Sequence, residues 1–339
     1  RKLLDEETIR SYEVKIKKQL SKFLDFENTA NAASIENNYE WYKSMNVLDF
    51  LRDVGKHLTV NYMMAKDSVK SRLETGISYT EFTYQLLQGY DFCWLNQHRN
   101  CTLQMGGSDQ WGNITAGIEL TRRKSGNEVF AVTSPLITKA DGKKFGKSES
   151  GNVWLDGTMT SPYKFYQFWL NASDTDAEKW IKIFTFLEKT TIDQLIAAHQ
   201  QDASKRTLQK TLAKEITSFV HGEAEYNKAV ETTEKLFATA NASADSLSEE
   251  DLNGMEGIVK IDFPASKIND GVDIVSFLAE TGIFSSKGEA RKMVQGGGVS
   301  INRVKVSGIQ DAVNKEHLLH GRYILVQKGR RNYYLVQSV

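Results

Sequence analysis

The sequence predicts an α/β domain over residues 1–155, an α-helical domain over 156–240, a linker over 241–270 and a small basic α+β module over 271–339. Three observations carry that order. LQMGGSDQWG, Leu103 to Gly112, is an apolar strand that breaks on two glycines and opens into a helix beginning near Asn113. From Ser161 to Leu236 the apolar residues recur at helical spacing throughout. From Ser266 to Val339, eleven Lys and Arg stand against six acids, a net of +5 within a chain whose totals cancel, 43 against 43.

At 339 residues the chain is long enough for two or three domains, each with its own core. Its overall neutrality advertises no nucleic-acid partner, so any such signal is local. Cys93 and Cys101 lie in apolar stretches without metal-ligand spacing, which suits a reducing cytoplasm and predicts no protein-ligated metal. No apolar run is long enough to span a bilayer, and no signal peptide is visible. The first residue is Arg1, not Met, and a fragment is expected.

Taken in order, Asp5 to Phe26 reads as a helical segment with Ile9, Val14, Ile16, Leu20, Phe23 and Leu24 as its apolar face. The Asn-rich patch Asn28 to Asn38 is a loop, followed by Tyr39, Trp41 and Tyr42 and a helix from about Asn46 to Val54. Thr59 to Glu74 reads as one more helix or a pair of short ones. Ser78, followed three places later by Glu81, is a capping box that starts the next helix. Within it Tyr84, Gln88 and Asp91 fall at i, i+4 and i+7, so a phenol, an amide and a carboxylate share one face. They either line a pocket for a small polar molecule or form an ordinary solvent-facing stripe.

The glycine turn is a place to hold a ligand, because glycine admits close approach and the first N–H groups of the following helix are unpaired donors. Asp109 repels phosphate and instead suits sugar hydroxyls or an ammonium group; the plainer reading is that Ser108 and Asp109 cap the helix. That helix ends in Arg122, Arg123 and Lys124, which complement its C-terminus and are placed to attract phosphate. A buried strand, Val129 to Val132, is expected next, then the pliable loop TKADGKKFGKSES, Thr138 to Ser150. Its Lys143, Lys144 and Lys147 with Ser148 are either a surface charge run or a cover that neutralises a polyphosphate.

Ser161-Pro162 opens the helical domain as a cap and an N1 proline. Thr239 to Asp270, rich in Ala, Ser, Asn and Asp, reads as a linker with little to bury. The tail reads as two helices, Asp273 to Thr281 and Lys287 to Gln295, and strands at Val299 to Ile301, Tyr323 to Gln327 and Tyr333 to Val336. Lys287, Arg291 and Lys292 share a helical face and Arg330-Arg331 tip a hairpin, the pattern of a module that contacts nucleic-acid backbone. Asn302-Arg303 stands where a tight hairpin favours Asn-Gly, which leaves that turn type open.

Together GGSDQWGN, YQLLQGYDF, PLITKADGKKFGKS and SPYKFYQFW, in this order, resemble the bacterial tyrosyl-tRNA synthetase family of class I. The likeness covers essentially the whole chain, and the tail resembles the family's RNA-binding module of ribosomal protein S-four type. The resemblance implies an incomplete Rossmann-like class I synthetase catalytic domain, a helical anticodon-recognition domain and that module. It implies tyrosine activation by ATP, with Mg2+ accompanying the nucleotide, transfer to tRNA(Tyr), a homodimer and a cytoplasmic setting.

Residue by residue, it gives Tyr84 and Gln88 the α-amino group of tyrosine, Asp91 the phenolic hydroxyl and Gln110 the carboxyl region. Gly107 and Asp109 would meet the ribose of the adenylate. KFGKS, Lys144 to Ser148, resembles the family's mobile Lys-Met-Ser-Lys-Ser loop, with Phe145 and Gly146 in place of Met and Ser. Lys147 would meet ATP, with Lys144 and Ser148 beside it. Arg1 matches an arginine on a second mobile loop, and Arg122 and Arg123 match positions that meet the tRNA acceptor arm. The family's His-Ile-Gly-His segment is nowhere in these 339 residues, so the polypeptide alone is expected to activate tyrosine weakly or not at all. Two alternatives stand beside this reading: a tryptophanyl enzyme, whose indole substrate offers Asp91 no hydroxyl, and a non-catalytic tRNA- or rRNA-binding derivative.

Overall fold

The computed structural model describes residues 4–27, 29–140, 142, 145–148, 151–237, 244, 247–255, 258–329 and 332–339. The chain divides into two compact units, Arg1–Phe145 and Gly146–Val339.

In the first unit, α1 (Glu6–Leu20) is capped by Asp5, whose carboxylate accepts from the Thr8 N–H at 2.8 Å. The helix is present as the pattern predicts, but it buries none of its residues, and Ile9, Val14 and Ile16 of its apolar face stay about half exposed or more. Short helices α2 (Tyr39–Tyr42), α3 (Val47–Asp53), α4 (Val60–Met64) and α5 (Asp67–Lys70) follow, so Thr59 to Glu74 is a pair of helices. They lead to the long helix α6 (Tyr79–Arg99), β1 (Leu103–Gly107), α7 (Trp111–Ser125) and β2 (Phe130–Ser134).

The capping box that opens α6 is complete: Ser78 Oγ accepts from the Glu81 N–H at 3.2 Å while Glu81 accepts from the Ser78 N–H. Strands β1 and β2 pair in parallel from Leu103↔Phe130 to Gly107↔Ser134, with α7 as the crossover. The sequence predicts a buried strand here. Val129 is buried, but Phe130 and Val132 are about half exposed, because β1 is the sole partner of β2 among the described residues.

Helices α6 and α7 cross where Gly89 faces Gly117. A Cβ on Gly117 would lie 3.0 Å from Phe92 Cβ, and one on Gly89 would lie 3.3 Å from the Gly117 nitrogen. Two glycines at one crossing remove the side chains that otherwise hold helices 8–10 Å apart. The core gathers beneath that crossing, with Trp41, Val54, Met63, Leu86, Tyr90, Cys93, Ala116 and Leu120 all buried.

In the second unit a small hairpin, β3 (Lys147–Ser148) with β4 (Gly151–Asn152), precedes α8 (Pro162–Leu170), α9 (Asp174–Phe184), α10 (Lys189–Gln201), α11 (Thr207–His221) and α12 (Glu223–Phe237). Ser161 caps α8 and Pro162 takes its first turn, as the Ser-Pro signal predicts. Trp180, Phe165, Leu208 and Leu212 are among the most buried side chains there.

Then come α13 (Glu249–Gly254), β5 (Val259–Phe263), α14 (Ala265–Asp270), β6 (Val272–Asp273), α15 (Ile274–Glu280), α16 (Lys287–Gln295), β7 (Val299–Ile301), β8 (Val304–Lys305), β9 (Ala312–Val313), β10 (Tyr323–Lys328) and β11 (Asn332–Ser338). Five strands form one sheet in the order β5-β11-β10-β7-β8, and β5 runs parallel to β11 from Val259↔Tyr334 to Phe263↔Ser338. Residues 259–270 therefore belong to the module and not to a linker: Phe263 and Ile268 sit in its core with Phe277, Leu278, Ile324 and Val336. No helix among the described residues is long and apolar enough to cross a membrane.

Candidate functional site

The column on α6 and the glycine turn after β1 meet at one hydrogen bond. Asn113, in the first turn of α7, donates its side-chain N–H to Gln88 Oε1 at 3.0 Å. The Gly89–Gly117 crossing, one turn further along α7, lets the two helices approach closely beside that bond. Tyr84, one helical turn earlier on the same face, leaves 55% of its surface exposed. Asp91, at the other end of the column, is half-buried.

Both oxygens of Asp91 are held. Trp41 Nε1 donates to Oδ1 at 3.0 Å and Asn38 Nδ2 donates to Oδ2 at 3.2 Å. Burial pushes the carboxyl above its ordinary range, while the N–H donors of Trp41 and Asn38, with Tyr42, pull it back toward the charged form. A carboxylate has about four lone-pair sites, so one ready to accept a further hydroxyl remains.

Trp41 is itself fixed. It stacks on Trp94 at 4.2 Å between centroids, and Trp94 stacks on His98 at 4.3 Å. Neither Asn38 nor Trp41 is identifiable from sequence as part of the site. They lie 53 and 50 residues from Asp91 along the chain, and an Asn at the end of an Asn-rich loop carries no spacing signal.

At the turn, the side chains of Ser108 and Asp109 cap nothing: neither the 3-10 turn Ser108–Gln110 nor α7 has a side-chain cap hydrogen bond. Asp109 instead accepts from Gln110 Nε2 at 3.0 Å and remains exposed. The absence of side chains at Gly106 and Gly107 leaves room for their neighbours. A Cβ on Gly107 would press to 2.7 Å of Asp109 Oδ1 and 2.9 Å of Leu136 Cδ2, and one on Gly106 would meet Gln110 Cβ at 3.1 Å. Gln104 shares the Gly106 face of β1 by the two-residue period of a strand, and its buried Oε1 finds no hydrogen-bond partner.

Arg122 and Arg123 both pair with Glu119, and Arg123 also donates to the His57 carbonyl at 2.7 Å. The pair is therefore partly neutralised within its own helix. Lys147 and Ser148 lie on β3, opposite Asn152 and Gly151. Arg1, Lys144, Arg330 and Arg331 are outside the described residues. Lys287, Arg291 and Lys292 are exposed on α16, with Lys287 Nζ 2.7 Å from Ser276 Oγ. Among the described residues no group of three or more His, Cys, Asp or Glu is placed to hold a metal.

Residues 1–238 match the family model described as tRNA synthetases class I (W and Y), and residues 255–336 match the tyrosine–tRNA ligase SYY-like C-terminal domain. The tyrosine–tRNA ligase of Bacteroides thetaiotaomicron is 56% identical over 344 residues, covering 99% of this chain and 80% of that protein. That of Flavobacterium johnsoniae is 52% identical over 351 residues, covering 100% and 80%. Among solved structures, a C-terminally truncated mitochondrial tyrosyl-tRNA synthetase of Coccidioides posadasii superposes with a TM-score of 0.57 at 31% identity. That likeness covers 67% of this chain and 68% of the other.

Proposed function

We infer function from a premise now in hand: the chain belongs to the class I tRNA synthetases, in the tyrosine–tRNA ligase family. We propose that it serves the ATP-dependent activation of L-tyrosine and its transfer to tRNA(Tyr), with the substrate side chain directed at Asp91. The observation that carries this reading is the doubly held Asp91 carboxylate. Trp41 and Asn38 keep it oriented and favour its charge, so it is an acceptor waiting for a donor. A phenol supplies that donor. Phenylalanine does not, and would leave the carboxylate desolvated without a partner. Indole N–H lies elsewhere on its ring system, which together with the C-terminal family match favours tyrosine over tryptophan.

Around that contact, Tyr84 and Gln88 would take the amino group and Gln110 the carboxyl region, the latter exchanging its bond to Asp109. Gly107 and Asp109 would receive the ribose. The tyrosine carboxylate then attacks the α-phosphate of ATP and pyrophosphate leaves. Catalysis of that step consists of positioning and charge neutralisation, which suits Lys144, Lys147 and Ser148 with Arg1, and Mg2+ travels with ATP. Arg122 and Arg123 would meet the acceptor arm once drawn from Glu119. Lys287, Arg291 and Lys292, with Arg330 and Arg331, would meet RNA backbone.

The exposed apolar side chains Val47, Leu48, Leu51, Val60 and Tyr79 support a homodimer interface in the first unit. We place the protein in the cytoplasm, with translation. The deciding experiment is titration calorimetry of the chain and of Asp91→Ala with L-tyrosine, L-phenylalanine and L-tryptophan. Preference for tyrosine that vanishes in the variant supports the assignment; equal binding of all three by the unmodified chain removes it.

A further inference from the structure

The turn joining β7 to β8 is strained in an informative way. Asn302 and Arg303 have φ of +48° and +69°, the two-residue mirror turn that suits the twist of a hairpin and favours glycine at its second position. Asparagine tolerates this backbone; arginine has no local reason to adopt it. What it gains is distant. Arg303 Nη2 donates to the Lys235 carbonyl at 2.9 Å, in the last turn of α12. The C-terminal end of a helix carries partial negative charge, which favours a guanidinium beside it.

The neighbouring residue anchors the same turn to the module. Asn302 Oδ1 accepts from the Leu325 N–H at 2.8 Å, and its Nδ2 donates to the His317 carbonyl at 2.6 Å. The far side is braced as well, because Lys235 bridges Glu231 at 2.7 Å and Asp251 of α13 at 3.0 Å. Two further bonds run alongside: Tyr323 Oη to Asn253 Oδ1 at 2.8 Å, and His320 Nε2 with the Leu247 carbonyl at 2.7 Å.

We propose that Arg303 is a positioning residue, a strut that fixes the basic C-terminal module on the end of the helical domain so that both grip one tRNA at a set spacing. The tRNA clause rests on the function proposed above; the strut itself does not. Glycine at this position separates the possible roles, because it relaxes the turn while deleting the strut. A residue that merely shapes the hairpin predicts that Arg303→Gly leaves the melting temperature unchanged or raises it. The strut predicts the opposite sign between domains: amide hydrogen exchange in the last turn of α12 and in α13 accelerates at least about tenfold.

The test uses the full chain and a tRNA(Tyr) transcript, with Arg303→Gly and Arg303→Lys. Expected are faster exchange at α12 and α13 and roughly tenfold weaker tRNA binding in Arg303→Gly, with partial recovery in Arg303→Lys, which keeps a charged donor. The dependence of log affinity on log salt should keep its slope, since a lost phosphate contact would reduce it by about one. Unchanged exchange in Arg303→Gly overturns the strut, and a slope reduced by about one with unchanged exchange reassigns Arg303 to RNA backbone. If the unmodified chain fails to bind tRNA, the functional reading fails while the exchange comparison still decides the strut.

Discussion

Trp41 gives its indole N–H to Asp91 at 3.0 Å while lying stacked on Trp94 at 4.2 Å, so the orientation of the carboxylate is set by an aromatic pile and not by α6 alone. Trp41→Phe keeps the stack and removes the donor. Tyrosine affinity should fall about tenfold, on the order of 1.5 kcal/mol, the lower end for a hydrogen bond to a charged group. Calorimetry with L-tyrosine measures it, and an unchanged constant would show that Asp91 needs no such support.

Acid should weaken tyrosine binding by protonating Asp91. Burial raises its folded-state pKa, so the loss sets in above the ordinary carboxylate value of about 3.9 as pH falls. Because the Trp41 bond favours the charged form, Trp41→Phe should move this acid limb to higher pH. Asp91→Asn should flatten the limb altogether. Affinity against pH for the three proteins decides the matter, and a limb that persists in Asp91→Asn belongs to another group.

Gly117→Ala adds a methyl 3.0 Å from Phe92 Cβ and Cδ1 at the helix crossing. Overpacking of this kind costs about 1–3 kcal/mol, which urea denaturation will read as a lower midpoint at constant slope. Because the crossing sets the Gln88–Asn113 bond, tyrosine affinity should decline in the same variant. A normal affinity would mean that α6 and α7 reach register without the glycine.

Gly107→Ala presses its methyl against Asp109 Oδ1 and Leu136 without touching the α6 column. Binding of adenosine nucleotides should weaken several-fold while tyrosine binding holds. Equal loss of both ligands would instead indicate collapse of the turn.

Cys93 is fully buried and its thiol is pushed up by that burial, whereas Cys101 is half-buried. A thiol reagent at neutral pH should therefore modify Cys101 in the folded chain and reach Cys93 only on unfolding. Mass spectrometry of the labelled peptides gives the order directly; early labelling of Cys93 would show that α6 opens locally.

The legible part of this protein was local. The Ser78–Glu81 box spans four residues, the Tyr84–Gln88–Asp91 column eight, and the strand–glycine–helix turn ten, so cap chemistry and helical period place them without knowledge of the rest. The resemblance then supplied their ligands. Residues 259–270 resisted the same treatment because average composition over a polar window hides Phe263 and Ile268, whose burial depends on β5 finding β11, 75 residues later from Val259 to Tyr334.

What tertiary structure alone decided is which side chains hold Asp91, how closely α6 and α7 approach, and why an arginine occupies a left-handed turn. Each depends on partners tens of residues apart, Trp41 with Asp91 or Arg303 with Lys235. Sequence by itself fixes backbone preferences over a turn or two, where the hydrogen-bonding groups are near neighbours. Contacts across the chain are selected by how whole elements bury their apolar faces, and that selection appears only once the elements are packed.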